Sequence, residues 1–394
     1  MNKTIKKYSL SALVLSLGLV MSGCGQSPVR NPFAGRTEPK LGELPPIAHP
    51  KGATKVAWST GTLSKQERFT KLIPYANNDM LYAADGHGKV VALNSKTGKK
   101  LWSTNTKKKF SAGPTLVDNL LLLSTADALV VALDASNGKK VWESKVNSEV
   151  LAPPSGKDGI VLVHANDGSV SALNAQSGQK LWAVDQATPS LTLHFSSAPV
   201  VVGNRVLVGF STGKLLALNL QTGVIEWERT ISLPQGRSEI QRMVDITADP
   251  LVSDDTVYVI TYQGKMAAVN INTGNLLWDR DVSSYQNIAQ TKDLLFVTDN
   301  AHNLWAINKQ TGATQWKQAA LAQRYITGPS VVSGLVAVAD RGGYVHFLSA
   351  NNGHIVNRMH LSGKIYQGPI SINNELIVNA YNGKVAAITV DGSV

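Results

Sequence analysis

Residues 132–142 read ALDASNGKKVW, and the same phrase recurs down the chain: ALNSKTGKKLW at 92–102, ALNAQSGQKLW at 172–182, ALNLQTGVIEW at 217–227, AVNINTGNLLW at 268–278 and AINKQTGATQW at 306–316. The closing tryptophans, Trp102, Trp142, Trp182, Trp227, Trp278 and Trp316, are separated by 40, 40, 45, 51 and 38 residues. A period near 40 built from short strands and glycine turns is the signature of a β-propeller, one four-stranded sheet per repeat. Within the phrase a strand ends at Asp or Asn, and the chain turns at Gly98, Gly138, Gly178, Gly223, Gly274 or Gly312. An outer strand carrying the tryptophan follows. Glycine suits that turn because it takes a positive φ at little steric cost.

Upstream of each phrase an apolar run such as 120–123 or 160–163 joins the next strand through a short hairpin. Such hairpins fall at 85–89, 126–128, 166–169, 211–214, 262–265, 300–303, 341–344 and 381–384. Eight hairpins predict eight blades, hence an all-β, eight-bladed propeller with four antiparallel strands per blade. A seventh phrase, FLSANNGHIVN at 347–357, keeps Gly353 but places Asn357 where tryptophan belongs. The eighth stops at Asp391-Gly392, before any outer strand. At the other end KVAWST (55–60) is an outer strand with no blade before it. Trp58 is therefore expected to complete the last blade, closing the ring with both termini and hiding the edges an open sheet would expose. A proline also recurs near the start of the inner strand, at Pro74, Pro114, Pro154, Pro199, Pro250, Pro329 and Pro369, where a missing N–H is tolerated on an edge. The tryptophans read as wedges between neighbouring blades; a ligand site would not repeat on every one.

Residues 1–23 combine basic Lys3, Lys6 and Lys7 with an apolar stretch at 10–21 and small residues before Cys24. That stretch is short for a membrane span and reads as an export signal. Cys24 is the single cysteine, so no internal disulfide forms. Residues 24–54 hold Pro28, Pro32, Pro39, Pro45, Pro46 and Pro50, the composition of an extended tether. The propeller is expected over 55–394. Net charge is +11, but the basic residues are dispersed apart from Lys107–Lys109. Nucleic-acid binding needs a clustered patch with interleaved aromatics, so no nucleic-acid partner is expected.

The eight histidines show no paired metal spacing, and no GxSxG elbow or phosphate-binding glycine loop occurs. No catalytic residue, metal or cofactor is expected, and Asp85, Asp299 and Asp340 read as turn caps. The informative departures are the two long intervals. They place insertions at 185–197 and 229–249, in adjacent connections on the hairpin face. The first carries LTLHF (191–195); the second carries Arg237, Glu239, Arg242 and Asp245. Loops that outgrow their scaffold are often functional, and apolar residues beside charge suit an interface. The competing reading has Leu191 and Leu193 beginning a strand and pointing inward.

The repeated phrase resembles that of the quinoprotein alcohol dehydrogenases, which would imply a quinone-dependent enzyme. It is also similar to the BamB family, lipoproteins of the outer-membrane β-barrel assembly (BAM) complex. The dehydrogenases are longer and carry adjacent cysteines near the quinone, whereas this chain has one cysteine. The BamB resemblance spans signal, tether and blades. MSGC at 21–24 is similar to a lipobox, which implies a palmitate-bearing, lipidated Cys24, and Gly25 implies the outer membrane, periplasmic face. The family's two loops contact the POTRA domains of BamA, through a Leu-x-Leu-Arg stretch before Ser-Ala-Pro and through Asp-Arg-x-x-Asp-x-Asp. By that resemblance Leu191, Leu193, Arg242 and Asp245 are BamA-binding, with His194 at the arginine position and Thr247 at the last aspartate. Unfolded outer-membrane proteins are the implied clients.

Overall fold

The computed structural model describes residues 40–391 apart from His49, Lys51 and Asn78; the leader, Cys24 and the tether up to Pro39 lie outside the described residues. The chain divides into Met1–Lys40 and Leu41–Val394, and the second unit carries the fold. Among the described residues a 3-10 turn, Ala322–Arg324, is the one helical element; everything else is strand and loop.

Eight sheets form the blades of the propeller, each with four antiparallel strands; blade 2 departs from the expected pattern by carrying a fifth, parallel edge strand, Lys71–Leu72. Blades 1–7 span 75–105, 110–145, 155–185, 200–230, 251–280, 289–318 and 330–360. Blade 8 joins Ile370–Ile372, Glu375–Asn379 and Val385–Val390 to the N-terminal strand Thr54–Thr60. Trp58 stands opposite Ala387 in that last pairing, so the two ends of the unit close the ring together. In blade 4 the strands Val200–Val202, Arg205–Gly209, Lys214–Asn219 and Ile225–Thr230 pair in chain order. The middle strands read as near-continuous apolar runs (KLLALN, buried throughout its centre) because neighbouring blades cover both faces. The outer strand IEWERT alternates exposed and half-buried positions, since only one face is covered.

The tryptophans close the blade junctions. Trp142 Nε1 donates to Ala175 O of the next blade at 2.6 Å. Trp58, Trp102, Trp182, Trp227, Trp278 and Trp316 donate in the same way to Ser95, Ala135, Leu220, Ile271, Lys309 and Ala350. Each ring lies on the next blade's turn glycine. At Gly178, with φ +70°, a Cβ would stand 2.8 Å from the Trp142 ring. Glycine is thus required twice at this turn, for its left-handed backbone and for the close approach of the indole.

The junction between blades 7 and 8 differs. There the prolines of 41–52 do not run free of the disc as the tether reading expects. Gly42 N donates to Gln323 O at 3.1 Å, Arg324 Nη1 to Gly42 O at 2.8 Å, and Arg358 Nη2 to Pro45 O at 2.7 Å. Ile47 packs against the core between blades 6 and 7. Asn357, at the tryptophan position, donates from Nδ2 to Gly52 O at 2.8 Å. A strap of backbone therefore takes the place of the indole, and the odd residue in the seventh phrase is the one that binds it. Both strap arginines are organised by fully buried Asp340. Its Oδ2 accepts from Arg324 Nε at 2.8 Å and from His346 Nε2 at 2.9 Å, while Arg358 Nε donates to His346 Nδ1 at 3.0 Å. Arginine can only donate, so His346 is held neutral. Burial lowers its pKa, with Asp340 pulling the other way.

Candidate docking face

The two long connections lie over the hairpin side of blades 3 to 5. Ile231 N donates to Gly213 O at 2.8 Å, Ile246 N to Phe210 O at 3.2 Å and Tyr262 N to Asp245 O at 2.9 Å, so the second loop rests on two successive hairpins. Its stem is fixed by buried Ile231, Met243, Val244 and Ile246. Its tip is a self-capped turn: Gln241 Oε1 accepts from Arg237 N at 2.9 Å, and Arg242 N donates to Ser238 O at 3.1 Å. The first loop contains no strand between Asp185 and Val200.

The loops are clipped to each other. Leu193 N donates to Asp245 Oδ1 at 2.9 Å, Ser190 Oγ to Glu239 Oε2 at 3.1 Å, and Ala198 N to Asp249 Oδ1 at 2.7 Å. Asp245 is 1% exposed, so its carboxylate faces inward and does not offer a charge to a partner. That corrects its expected role: it holds the first loop on the second. Its Oδ2 accepts no hydrogen bond from the described residues. Burial pushes its pKa up to about 6, against the Leu193 N–H, which pulls it down. Beside it buried His164 donates from Nδ1 to Ser197 O at 2.9 Å, and burial lowers its pKa to about 4. Burial disfavours the charged form of both groups, which raises the carboxyl and lowers the imidazole.

Leu191 is 40% exposed, Leu193 is half-buried, and His194 and Arg242 are exposed. Neither leucine belongs to a strand or to the core. The second loop adds Leu233 and Ile240, 68% and 62% exposed, which the sequence reading did not single out. Their signal was present: in ISLPQGRSEI (231–240) apolar residues stand outside any strand period. Most other exposed large apolar residues, such as Leu101, Val141 and Leu181, sit on outer strands and recur blade after blade. The loop face alone adds apolar side chains to non-repeating backbone.

The central channel opens on the same side as a cavity of about 440 Å³, lined by inner-strand prolines and by Arg68, Lys71, Tyr285, Arg341 and Tyr366. Asp85, Asp299 and Asp340 cap hairpins. Asp299 Oδ1 accepts from Ala301 N at 2.9 Å and Asn303 N at 2.8 Å. Among the described residues no group of three or more His, Cys, Asp or Glu is placed to hold a metal, and no helix is long and apolar enough to cross a membrane.

Fold and loops define a class: an eight-bladed propeller of tryptophan-docked repeats whose elaboration is a pair of long, mutually clipped loops carrying exposed apolar side chains. A family model described as outer membrane protein assembly factor BamB matches residues 52–143 and 86–318. The outer membrane protein assembly factor BamB of Legionella pneumophila is 44% identical over 381 residues, 96% of this chain and 98% of the relative. The crystal structure of BamB from Moraxella catarrhalis superposes with a TM-score of 0.78 at 26% identity, covering 86% of this chain and 100% of that one. The chain belongs to the BamB family of outer membrane protein assembly factors, and its role is not enzymatic. The quinohemoprotein alcohol dehydrogenase of Comamonas testosteroni, at a TM-score of 0.68 and 12% identity over 86% of this chain and 77% of that chain, shares the fold alone.

Proposed function

We propose that this protein is a scaffold lipoprotein of the BAM complex, held at the periplasmic face of the outer membrane through Cys24, and that it binds the POTRA domains of BamA. The observation that carries the reading is the clipped pair of loops, which lifts Leu191, Leu233 and Ile240 into solvent on one face of a family member. Exposed apolar side chains on both loops, with exposed Arg237, Arg242 and His194 on the same loops, supply the ingredients of a docking interface, an apolar core within a polar rim. Leu191, Leu193, His194 and Arg242 contact the partner in this reading, while Asp245 sets their position from beneath. Holding BamA in a fixed attitude is how a closed disc without chemistry assists folding and insertion of outer-membrane proteins.

The test is a gentle-detergent pull-down of the full-length lipoprotein from outer membranes, with mass spectrometry of what co-elutes. Stoichiometric BamA, lost in Leu191→Asp and in Leu193→Asp at unchanged melting temperature, is the expected result. A partnerless wild-type preparation would overturn the reading.

A further inference from the structure

The segment between the first outer strand and blade 1, residues 61–73, runs across the hairpin face. Gln66 N donates to Tyr381 O at 2.8 Å on blade 8, and Ser64 N to Asp85 Oδ2 at 2.9 Å on blade 1. Lys71–Leu72 then adds a short parallel strand to the edge of blade 2, against Ala112 and Gly113. From there the Lys71 side chain reaches across the channel. Its ammonium donates to Ser196 O at 2.7 Å and Thr247 O at 2.7 Å, and approaches Asp249 Oδ1 at 3.4 Å.

Those three acceptors are the feet of the two docking loops. Ser196 ends the first loop, Thr247 follows Asp245 in the second, and Asp249 already binds the N–H of Ala198 at 2.7 Å. Lys71 lies on the edge of blade 2 and its acceptors stand at the entries to blades 4 and 5, so this contact ties the loop bases to a separate wall of the channel. Lys71 is buried, and an ammonium there is tolerated because its three donors meet two carbonyls and a carboxylate. The rotamer freedom lost by a long flexible stem is large, so fixing it here costs something that only its acceptors offset.

The same segment exposes an aromatic. Phe69 is 63% exposed two residues before the staple, with Arg68 5.9 Å from its ring centroid. Phe69 and the first loop's Phe195 line the same cavity mouth. We infer that residues 61–73 form the third part of the docking surface, and that Lys71 is the positioning residue which sets this segment and the two loops in one register. The inference rests on the docking reading above. The occupant is the same partner protein, presenting an apolar patch with an acidic margin that complements Arg68, Arg237 and Arg242.

The experiment compares full-length Phe69→Asp, Lys71→Met, Lys71→Arg, Leu191→Asp and, as a rim control, Leu181→Asp for affinity toward purified BamA in detergent. Phe69→Asp and Leu191→Asp should each weaken binding by about tenfold or more, with Leu181→Asp unchanged. Wild-type affinity in Phe69→Asp beside loss in Leu191→Asp would refute the third segment and leave the two-loop reading standing. No loss in either, or no binding by the wild type, would remove the docking reading itself. A partner-free measurement tests the staple: Lys71→Met should speed amide exchange at Leu193 and Ala198, and Lys71→Arg should do so less. Unchanged protection in Lys71→Met would end the positioning role whatever the affinities show.

Discussion

Seven junctions of the ring are closed by an indole and the eighth by a strap. At Trp142 a large apolar ring lies on a glycine and one N–H meets one carbonyl; at Asn357 a small amide meets Gly52 O, and two arginines gather the backbone of 41–52. The first kind of closure is local to two blades and rests on burial, which is non-directional and tolerant. The second is polar, directional and depends on one buried carboxylate, Asp340, keeping its partners in order. A repeat protein can copy the first design indefinitely. The second is used once, where the chain must also be led onto the disc.

The largest effect is expected where the copied design is cut. Trp142→Ala should lower stability by about 3–5 kcal/mol, as other large core truncations do, seen as a fall in melting temperature across the whole ring. A melting curve equal to wild type would break the claim that indoles carry the junctions. Arg358→Met cuts the other design and should behave differently. It removes donors to Pro45 O and His346 Nδ1, costing about 1–3 kcal/mol, and the loss should be local, with faster exchange and proteolysis confined to 41–52. Acid should open the same strap. His346 has a folded pKa below its ordinary value, so its contribution is present above pH 6.5 and is lost as pH falls through the folded value.

Much of this was legible in the sequence because repetition multiplies a weak signal. One Asp-x-x-x-Gly turn followed by tryptophan is ambiguous, but six at a common spacing fix blade, turn and junction together. The missing tryptophan at 357 was legible as an exception, yet its reason lay in residues more than 300 positions away, beyond any local pattern. For the same reason the tether was read too long. Prolines at 45, 46 and 50 exclude regular ladders but say nothing about the arginines that bind the carbonyls of Gly42 and Pro45. On the proposed docking face Leu191 and Arg242 stand out by context, whereas Asp245 was misread. An aspartate in a charged loop suggests an exposed partner contact, and only the fold shows it turned under Leu193. Lys71 carries no sequence signal at all, since its acceptors lie far along the chain at the entries to blades 4 and 5.

The loops sharpen the contrast between burial and polarity through pH. Asp245, with its folded pKa raised to about 6, contributes stability that is full below about pH 3.8 and lost as pH rises through 6. His164, lowered to about 4, does the reverse: its contribution is present above 6.5 and lost as pH falls toward 4. The two line one pocket and offset each other through the acid range. Asp245→Asn keeps an acceptor for Leu193 N and removes one side of that balance. The variant should therefore lose stability more steeply than wild type on acidification from pH 7 to 4, by on the order of 1–3 kcal/mol, about 1.4 per pKa unit. Parallel curves for the two proteins would place the Asp245 carboxylate in a more polar setting than its burial implies.

The smallest effect on stability belongs to the residues with the strongest proposed role. Leu233 stands in solvent on a loop whose stem is already anchored by Ile231, Met243 and Val244. Leu233→Ser removes no packing in the isolated protein, so unfolding free energy should stay within about 0.5 kcal/mol of wild type. Solubility should improve, because Leu233 is a large apolar side chain that the isolated protein leaves open to water. A loss comparable with Trp142→Ala would mean that Leu233 holds the loop together and is not available to a partner. An unchanged melting curve keeps it, with Leu191 and Ile240, among side chains whose apolar surface is satisfied only outside the chain.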